Sequence, residues 1–209
     1  MKNSTINHLV KTLQGYYSKP QVLKRARIPG EIIHSDIESG VIWDLAKKAI
    51  KPHGFALEVG TWKGNSGYII ASICAMRQAH LICIDSFNGD MAFGGEAHNL
   101  DFLRDHALAH LSSLPVSFLV MNSTQAHQVI ADHTFDFCFV DGDHTEPVVS
   151  QDIKNYYSKV KPGGIYSGHD YGFVHADPKI IFKVKENVDK VCGRVKVIDT
   201  IWFRQIPNK

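Results

Sequence analysis

The stretch FALEVGTWKGNSGYIIASI, Phe55 to Ile73, decides the fold. It runs from apolar residues through a carboxylate, Glu58, into a loop punctuated by Gly60, Gly64 and Gly67, and out into an apolar segment of helical character. A strand, a glycine turn and a helix in that order open a βαβ unit, and the turn lies where backbone N–H groups meet a ligand. The glycines allow a sharp turn and close packing of the helix on the strand. The dinucleotide fingerprint G-x-G-x-x-G is not met, because Trp62 stands at the second glycine's place. Glu58 inside the turn repels a pyrophosphate and attracts an ammonium group, so the loop suits a zwitterionic ligand better than a dinucleotide.

Outward from this stretch, helices and strands alternate. Ile37, Val41, Leu45 and Ala49 recur at helical spacing after Ser35, with Asp36 and Glu38 in the first turn, and predict a helix that ends at KPHG. Strand one is Phe55 to Val59, followed by the helix SGYIIASICAMRQ, strand two HLICID and a glycine-rich loop, SFNGDMAFGGEAHN. A helix from Leu100 to Leu111, strand three VSFLVM, a short helix from Thr124 to Ala131 and strand four FDFCFV come next. Pro147 suits a first helical position, and Val149, Ile153, Tyr156, Tyr157 and Val160 form the stripe of a helix that ends at KPGG before strand five, IYSG. A helix from Lys179 to Val191 and an antiparallel hairpin of RVKVID and IWFRQI close the chain.

Near-continuous apolar strands between helices imply a mostly parallel sheet covered on both faces: an α/β, doubly wound, Rossmann-like domain of seven strands with a C-terminal antiparallel hairpin. The composition allows one substantial core, with 44% hydrophobic and 21% charged residues in 209. The expected organisation is an N-terminal helical extension over residues 1–34, acting as a cap or an oligomer contact, and the main domain over 35–209. The formal charge of +2 is spread along the chain, which argues against a nucleic-acid partner. Cys74, Cys83, Cys138 and Cys192 show no metal-knuckle spacing and read as reduced core residues. No signal-peptide core and no membrane-length apolar run is present, so the expectation is a soluble, cytoplasmic protein. Most of the 12 histidines stand alone on polar segments and read as surface residues.

In such sheets ligands bind beyond the carboxyl ends of the strands. The unusual residues all fall there: Glu58 and Gly60 after strand one, Asp85 after two, Asn122 and Ser123 after three, Asp141 after four, His169 and Asp170 after five. Asp85 is placed to accept hydrogen bonds from ribose hydroxyls or to make a turn. Phe87 either stacks on a base or anchors the loop. Carboxylates with an imidazole at Asp141, His169 and Asp170 suit a divalent ion, Mg first, with Mn or Fe as alternatives. A hydrogen-bonded structural turn is the other reading of GHDY. Asp143 reads as a partner of those ligands or a loop cap.

EVGTWKGNS, CIDSF, FVDGDH and KPGGIYSGHDY together resemble the class I S-adenosylmethionine-dependent methyltransferases. The resemblance is closest to the methyltransferase 24 family, related to the metal-dependent catechol-type O-methyltransferases, and covers Ser35 to Asp170. It implies that Glu58, Gly60 and Ser66 hold the methionine part of S-adenosylmethionine, Asp85 the ribose, and that Ser123 lies near the adenine. Thr61, Trp62, Ser86, Phe87 and Asp141 complete the implied cofactor wall. The catechol-type relatives carry an Asp and then an Asp-Asn pair as ligands, where this chain has Asp141 and then His169-Asp170. They also carry a lysine base where this chain has His144, so His144 and Asp141 are the implied catalytic residues. A neutral imidazole suits that role, since its ordinary pKa leaves it mostly deprotonated at neutral pH. The expected activity is metal-assisted O-methylation of a small-molecule acceptor, with a homo-oligomer as a further partnership. The acceptor walls are expected from the segment before Ser35, the Gly89–Asn99 loop and the Tyr171–Lys179 loop. The other readings are a metal-dependent hydrolase or hydroxylase on the same fold, using Asp141, His144, His169 and Asp170, and a non-catalytic cofactor-binding module.

Overall fold

The computed structural model describes residues 16–31, 33–88 and 100–208. Their elements, in chain order, are α1 (Lys19–Ala26), α2 (Asp36–Ala49), β1 (Phe55–Val59), α3 (Asn65–Arg77), β2 (His80–Ile84), α4 (Leu100–Leu111), β3 (Val116–Leu119), α5 (Ser123–Ala126), β4 (Phe135–Val140), α6 (Val148–Tyr157), β5 (Val160–Gly168), α7 (Val184–Cys192), β6 (Lys196–Ile198) and β7 (Ile201–Gln205). The seven strands form one sheet in the order β3-β2-β1-β4-β5-β7-β6. The first five are parallel, and β7 pairs antiparallel with both β5 and β6. Strand order reverses between β1 and β4, which puts the crevice of a doubly wound sheet beside Gly60 and Asp141.

The strands are apolar because both faces are covered. On one face Ala56, Leu81, Cys83, Phe137, Phe139 and Ile165 pack beneath α1, α2 and α3 with Val22, Ile42, Trp43 and Ile70. On the other, Leu57, Val59, Cys138, Val140 and Tyr166 pack with Val149, Ile153 and Val188 of α6 and α7. The period-2 alternation of strand side chains separates the two layers. α3 is buried at every residue from Asn65 to Cys74, which explains why it lacks the polar stripe of a surface helix. The four cysteines are free and buried. Among the described residues no helix is long and apolar enough to cross a membrane.

Several expected boundaries shift. β5 starts at Val160 and contains Lys161 to Gly164, because Val160 pairs with Phe135 before an irregularity that brings Ile165 opposite Phe137. Gly163 at a φ of 80° carries that bulge, so the glycines that look like a helix stop are strand residues. Pro147 is the N-cap of α6 instead of its first residue. The short helix divides into α5 and a 3₁₀ turn at His127–Val129, and α7 begins at Val184, with Lys179 to Lys183 in the loop before it. β2, β3 and the hairpin strands are each shorter than their apolar runs. The Gly89–Asn99 loop and residues 1–15 lie outside the described residues.

The antiparallel strand β7 braces the rim of the sheet. Trp202 is fully buried, pairs with Gly168, meets Tyr166 edge-on at 5.1 Å, and donates its indole N–H to the His169 carbonyl at 3.2 Å. A side chain at Gly168 would strike this indole at 2.6 Å, so the glycine makes room for it. Trp202→Ala should cost about 3–5 kcal/mol of stability. Trp202→Phe, which keeps most of the packing and loses the hydrogen bond, should cost closer to 1 kcal/mol. Denaturant titration of the two variants checks the order.

Candidate active site

The first half of the site is the glycine turn. Gly60 has a φ of 84°, and a Cβ there would lie 2.1 Å from the Asp141 carbonyl oxygen. The turn after β1 therefore touches the backbone that ends β4, which no residue with a side chain permits. Asp85, just past β2, fastens the turn: its Oδ2 accepts the N–H groups of Thr61 and Trp62 at 2.8 Å each, and its Oδ1 accepts Phe87 N–H at 2.7 Å. Trp62 and Phe87 have φ values of 48° and 51°, left-handed conformations that cost energy in residues with side chains. Hydrogen bonds to one carboxylate offset that cost.

Phe87 is buried against Leu103 and Ala107 of α4, as the anchor of its loop. Ser86 Oγ accepts the Asn88 N–H at 3.3 Å. Ser123 opens α5 behind the N-cap Asn122 and donates its hydroxyl to Asp152 at 2.9 Å, and Asp152 lies against Gly142. Burial raises Asp152 to about 7, against the Ser123 hydrogen bond.

Glu58 is fully buried beneath the turn. Ser66 Oγ donates to its Oε1 at 2.6 Å and Cys83 Sγ to its Oε2 at 3.4 Å, and Gly67 leaves the space its carboxylate fills. Burial raises its pKa to about 8, a shift these hydrogen bonds reduce without reversing. Sequence reasoning places Glu58, Gly60, Thr61, Trp62, Ser66 and Asp85 in one cradle, and the structure brings these six together.

The second half is a cluster of carboxylates and imidazoles at the ends of β4 and β5. Asp141 Oδ2 lies 3.1 Å from His34 Nε2, and its Oδ1 lies 3.5 Å from His144 Nε2 and 3.6 Å from His169 Nδ1. Asp170, at a φ of 58°, lies 2.8 Å from His144 Nε2 and 3.0 Å from His169 Nδ1. His169 Nε2 meets Glu38 Oε1 at 3.0 Å. Burial alone would lower His169, but the charge of Asp141 and hydrogen bonds to Asp170 and Glu38 raise it to about 10. Burial likewise opposes ionisation of Asp141 and Asp170, and the histidines around them outweigh it and hold both carboxyls below their usual range.

Two donor sets have ligand atoms that all lie within 4.8 Å of one another: His34, Asp141 and His169, and Asp141, His144 and Asp170. A cavity of about 10 Å³ opens beside Asp141, His144 and His169, enough for a single small occupant. Imidazole and carboxylate donors converging at this spacing fit a divalent ion. Asp143 is a loop cap, its Oδ1 accepting both the N–H and the hydroxyl of Thr145.

His34 and Glu38 were not legible as site residues. Glu38 carries a signal of another kind, the capping box: Ser35 Oγ accepts Glu38 N–H at 3.1 Å and Glu38 Oε2 accepts Ser35 N–H at 2.8 Å. Its other oxygen serves His169, and Thr200 also donates to it at 2.5 Å. His34 sits just before the cap, 107 positions from Asp141, and no local pattern marks it.

A parallel sheet of this strand order, with a glycine turn after β1, a carboxylate after β2 and the crevice between β1 and β4, defines the class I methyltransferase fold. Residues 57–171, more than half of the chain, match the family described as a methyltransferase domain, and the chain belongs to that family, whose methyl donor is S-adenosylmethionine. No curated protein matches. Among solved structures, a Corynebacterium glutamicum protein is 14% identical with 98% of each chain covered and a TM-score of 0.65. A Staphylococcus aureus protein named as a caffeoyl-CoA O-methyltransferase is 16% identical, covering 96% of this chain and 98% of that one, with a TM-score of 0.63. The O-methyltransferase NovP is 17% identical over 92% of this chain and 89% of its own, with a TM-score of 0.66. Proteins named as rRNA methylases share the fold as well. At these identities the likeness is one of fold.

Glu58 yields a pH prediction. In an unfolded chain glutamate titrates near 4.3. Since the folded group holds its proton up to about 8, the folded state binds the extra proton between these values, and its contribution to stability falls as pH rises through that window. Above the folded pKa the loss levels off. Glu58→Gln keeps the partner of Ser66 and should flatten the decline, leaving the shares due to Asp152, Asp85 and His169, whose folded pKa values are also raised. Denaturation midpoints of both proteins from pH 5 to pH 9 measure the difference.

Proposed function

We propose that the chain transfers the methyl group of S-adenosylmethionine to an oxygen of a small molecule, assisted by a divalent ion held by Asp141, His169 and Asp170. The observation that carries this reading is the contact of Gly60 with Asp141. The cofactor turn and the cation-binding cluster share a wall, so a methyl donor on one side lies next to an acceptor oxygen on the other. When bound, such an ion lowers the pKa of an acceptor hydroxyl and fixes its oxygen.

The rest falls to the chain's own side chains. Methyl transfer is an in-line displacement, so the protein must align oxygen and methyl carbon and exclude water. Asp85 braces the turn that seats the donor. Glu58, buried beneath the same turn, would face the donor's ammonium group across Ser66. His144 is the proposed base for the acceptor's proton, with Asp170 orienting it through Nε2.

An apolar acceptor is supported by the wall beside His144. Its imidazole stacks on Phe182 at 4.6 Å and 4°, and Phe173 and His175 lie 5.2 and 5.8 Å from the same ring. Phe173 and Val174 are exposed in the Tyr171–Lys179 loop, where a bound acceptor would cover them. A charge of only +2 favours a small molecule over RNA. Methyl transfer to hydroxylated aromatic compounds, measured with labelled S-adenosylmethionine beside an rRNA control, tests the assignment, and label found only in RNA would overturn it.

Asp85→Ala removes a carboxylate that accepts three backbone N–H groups, and should weaken S-adenosylmethionine binding by tenfold or more while the sheet stays folded. Calorimetry reads this directly, and unchanged affinity would remove Asp85 from the site. His144→Ala should keep cofactor and metal binding, lose about 10²- to 10⁴-fold in turnover, and abolish the acidic limb of the pH–rate profile. Loss of metal from that variant would make His144 a ligand instead of the base.

A further inference from the structure

The tautomers of two histidines are set from outside the cluster. Asn65 Nδ2 donates to the Ala26 carbonyl at 2.7 Å, which fixes the amide and turns its Oδ1 toward His34 Nδ1 at 2.8 Å. An amide oxygen only accepts, so His34 Nδ1 carries the hydrogen. His169 is held the same way, since Glu38 Oε1 accepts from its Nε2 at 3.0 Å, and that carboxylate is itself fixed by the capping box and by Thr200. With each outer nitrogen fixed as the donor, the inward nitrogen of each ring is the one left to meet a proton or a metal ion. Both inward nitrogens face carboxylates: His34 Nε2 lies 3.1 Å from Asp141 Oδ2, and His169 Nδ1 lies 3.0 Å from Asp170 Oδ2 and 3.6 Å from Asp141 Oδ1.

An acceptor nitrogen facing an acceptor carboxylate is unfavourable unless a proton or a cation lies between them. One proton relieves one such pair, whereas a single cation relieves both. Outer hydrogen bonds that turn imidazole lone pairs inward are the arrangement that orients metal-ligating histidines. His34 is buried and its ring packs edge-on against His169 at 4.7 Å.

We infer that His34 is a metal ligand: with Asp141 and His169 it forms a two-imidazole, one-carboxylate set, with Asp170 beside it, that takes a borderline transition-metal ion in preference to Mg²⁺. The inference rests on the divalent-ion reading above and adds both a residue and the class of ion. Mg²⁺ prefers oxygen ligands and sheds water reluctantly, and imidazole nitrogens favour the later first-row ions. Because His34 precedes α2 and Asn65 ties it to the end of α1, the ion would also join the N-terminal segment to the rim of the sheet.

Metal-stripped full-length protein titrated with Co²⁺ alone and with Mg²⁺ alone tests this, by calorimetry and by the visible absorption of bound Co²⁺. The expected result is one Co²⁺ per chain, with a spectrum of nitrogen ligation and affinity well above that for Mg²⁺. His34→Ala should weaken Co²⁺ binding by about 10- to 100-fold and alter the spectrum. Asn65→Leu, which keeps the imidazole and frees its tautomer, should weaken it less and leave the spectrum in place. S-adenosylmethionine affinity serves as the folding control, since neither substitution touches Glu58 or Asp85. If Co²⁺ binds and His34→Ala changes neither affinity nor spectrum, His34 is not a ligand and the inference fails while the divalent site stands. If neither ion binds the folded protein, the divalent-ion reading fails with it.

Discussion

The arrangement of this protein depends on the approach of Gly60 to the backbone of Asp141. β1 and β4 are neighbours in the sheet, and their C-terminal ends must stay close for one crevice to serve two halves of a site. A Cβ at Gly60 would fall 2.1 Å from the Asp141 carbonyl oxygen, closer than any real contact, so a side chain there would force the strands apart. The left-handed φ of the same glycine directs the chain over the end of the sheet into α3. Close contact and chain direction are thus met by one residue type, and every group at the rim is positioned relative to that point.

From there the rim is built of carboxylates with most of their oxygens engaged. Asp85 holds three backbone N–H groups and with them two left-handed residues. Glu38 caps α2 with one oxygen and receives His169 and Thr200 on the other, so one side chain joins the start of a helix, the end of β5 and the loop between β6 and β7. Burial raises Asp85 despite its three hydrogen bonds and raises Glu58 further, a buried carboxyl whose hydrogen bonds do not repay its desolvation. A group in that state is stabilised by a nearby cation, so the place of Glu58 beneath the glycine turn is compatible with an ammonium-bearing donor.

The antiparallel strand has a structural task at the site as well as at the sheet edge. By inserting β7 beside β5, the fold places Trp202 under the His169 carbonyl and Thr200 against Glu38. β6, outermost and exposed along its length, completes the sheet without contributing to the crevice.

The sequence alone determined the layered architecture, because its signals are local: apolar runs for strands covered on both faces, helical stripes between them, and glycines where the chain turns over a strand end. It also placed Glu58, Gly60, Asp85, Asp141, His169 and Asp170 at strand C-termini, since in a parallel sheet the strand end fixes which edge a residue occupies. Element boundaries such as the start of β5 depended on a bulge, which pairing with β4 decides and local propensity does not. His34, Glu38 and Thr200 became part of the site only through tertiary structure. They come from the start of α2 and from the hairpin, far from β4 and β5 in the chain, and helix packing and strand insertion bring them to Asp141 and His169. Their place follows from where whole elements pack, and no spacing within the sequence encodes that distance.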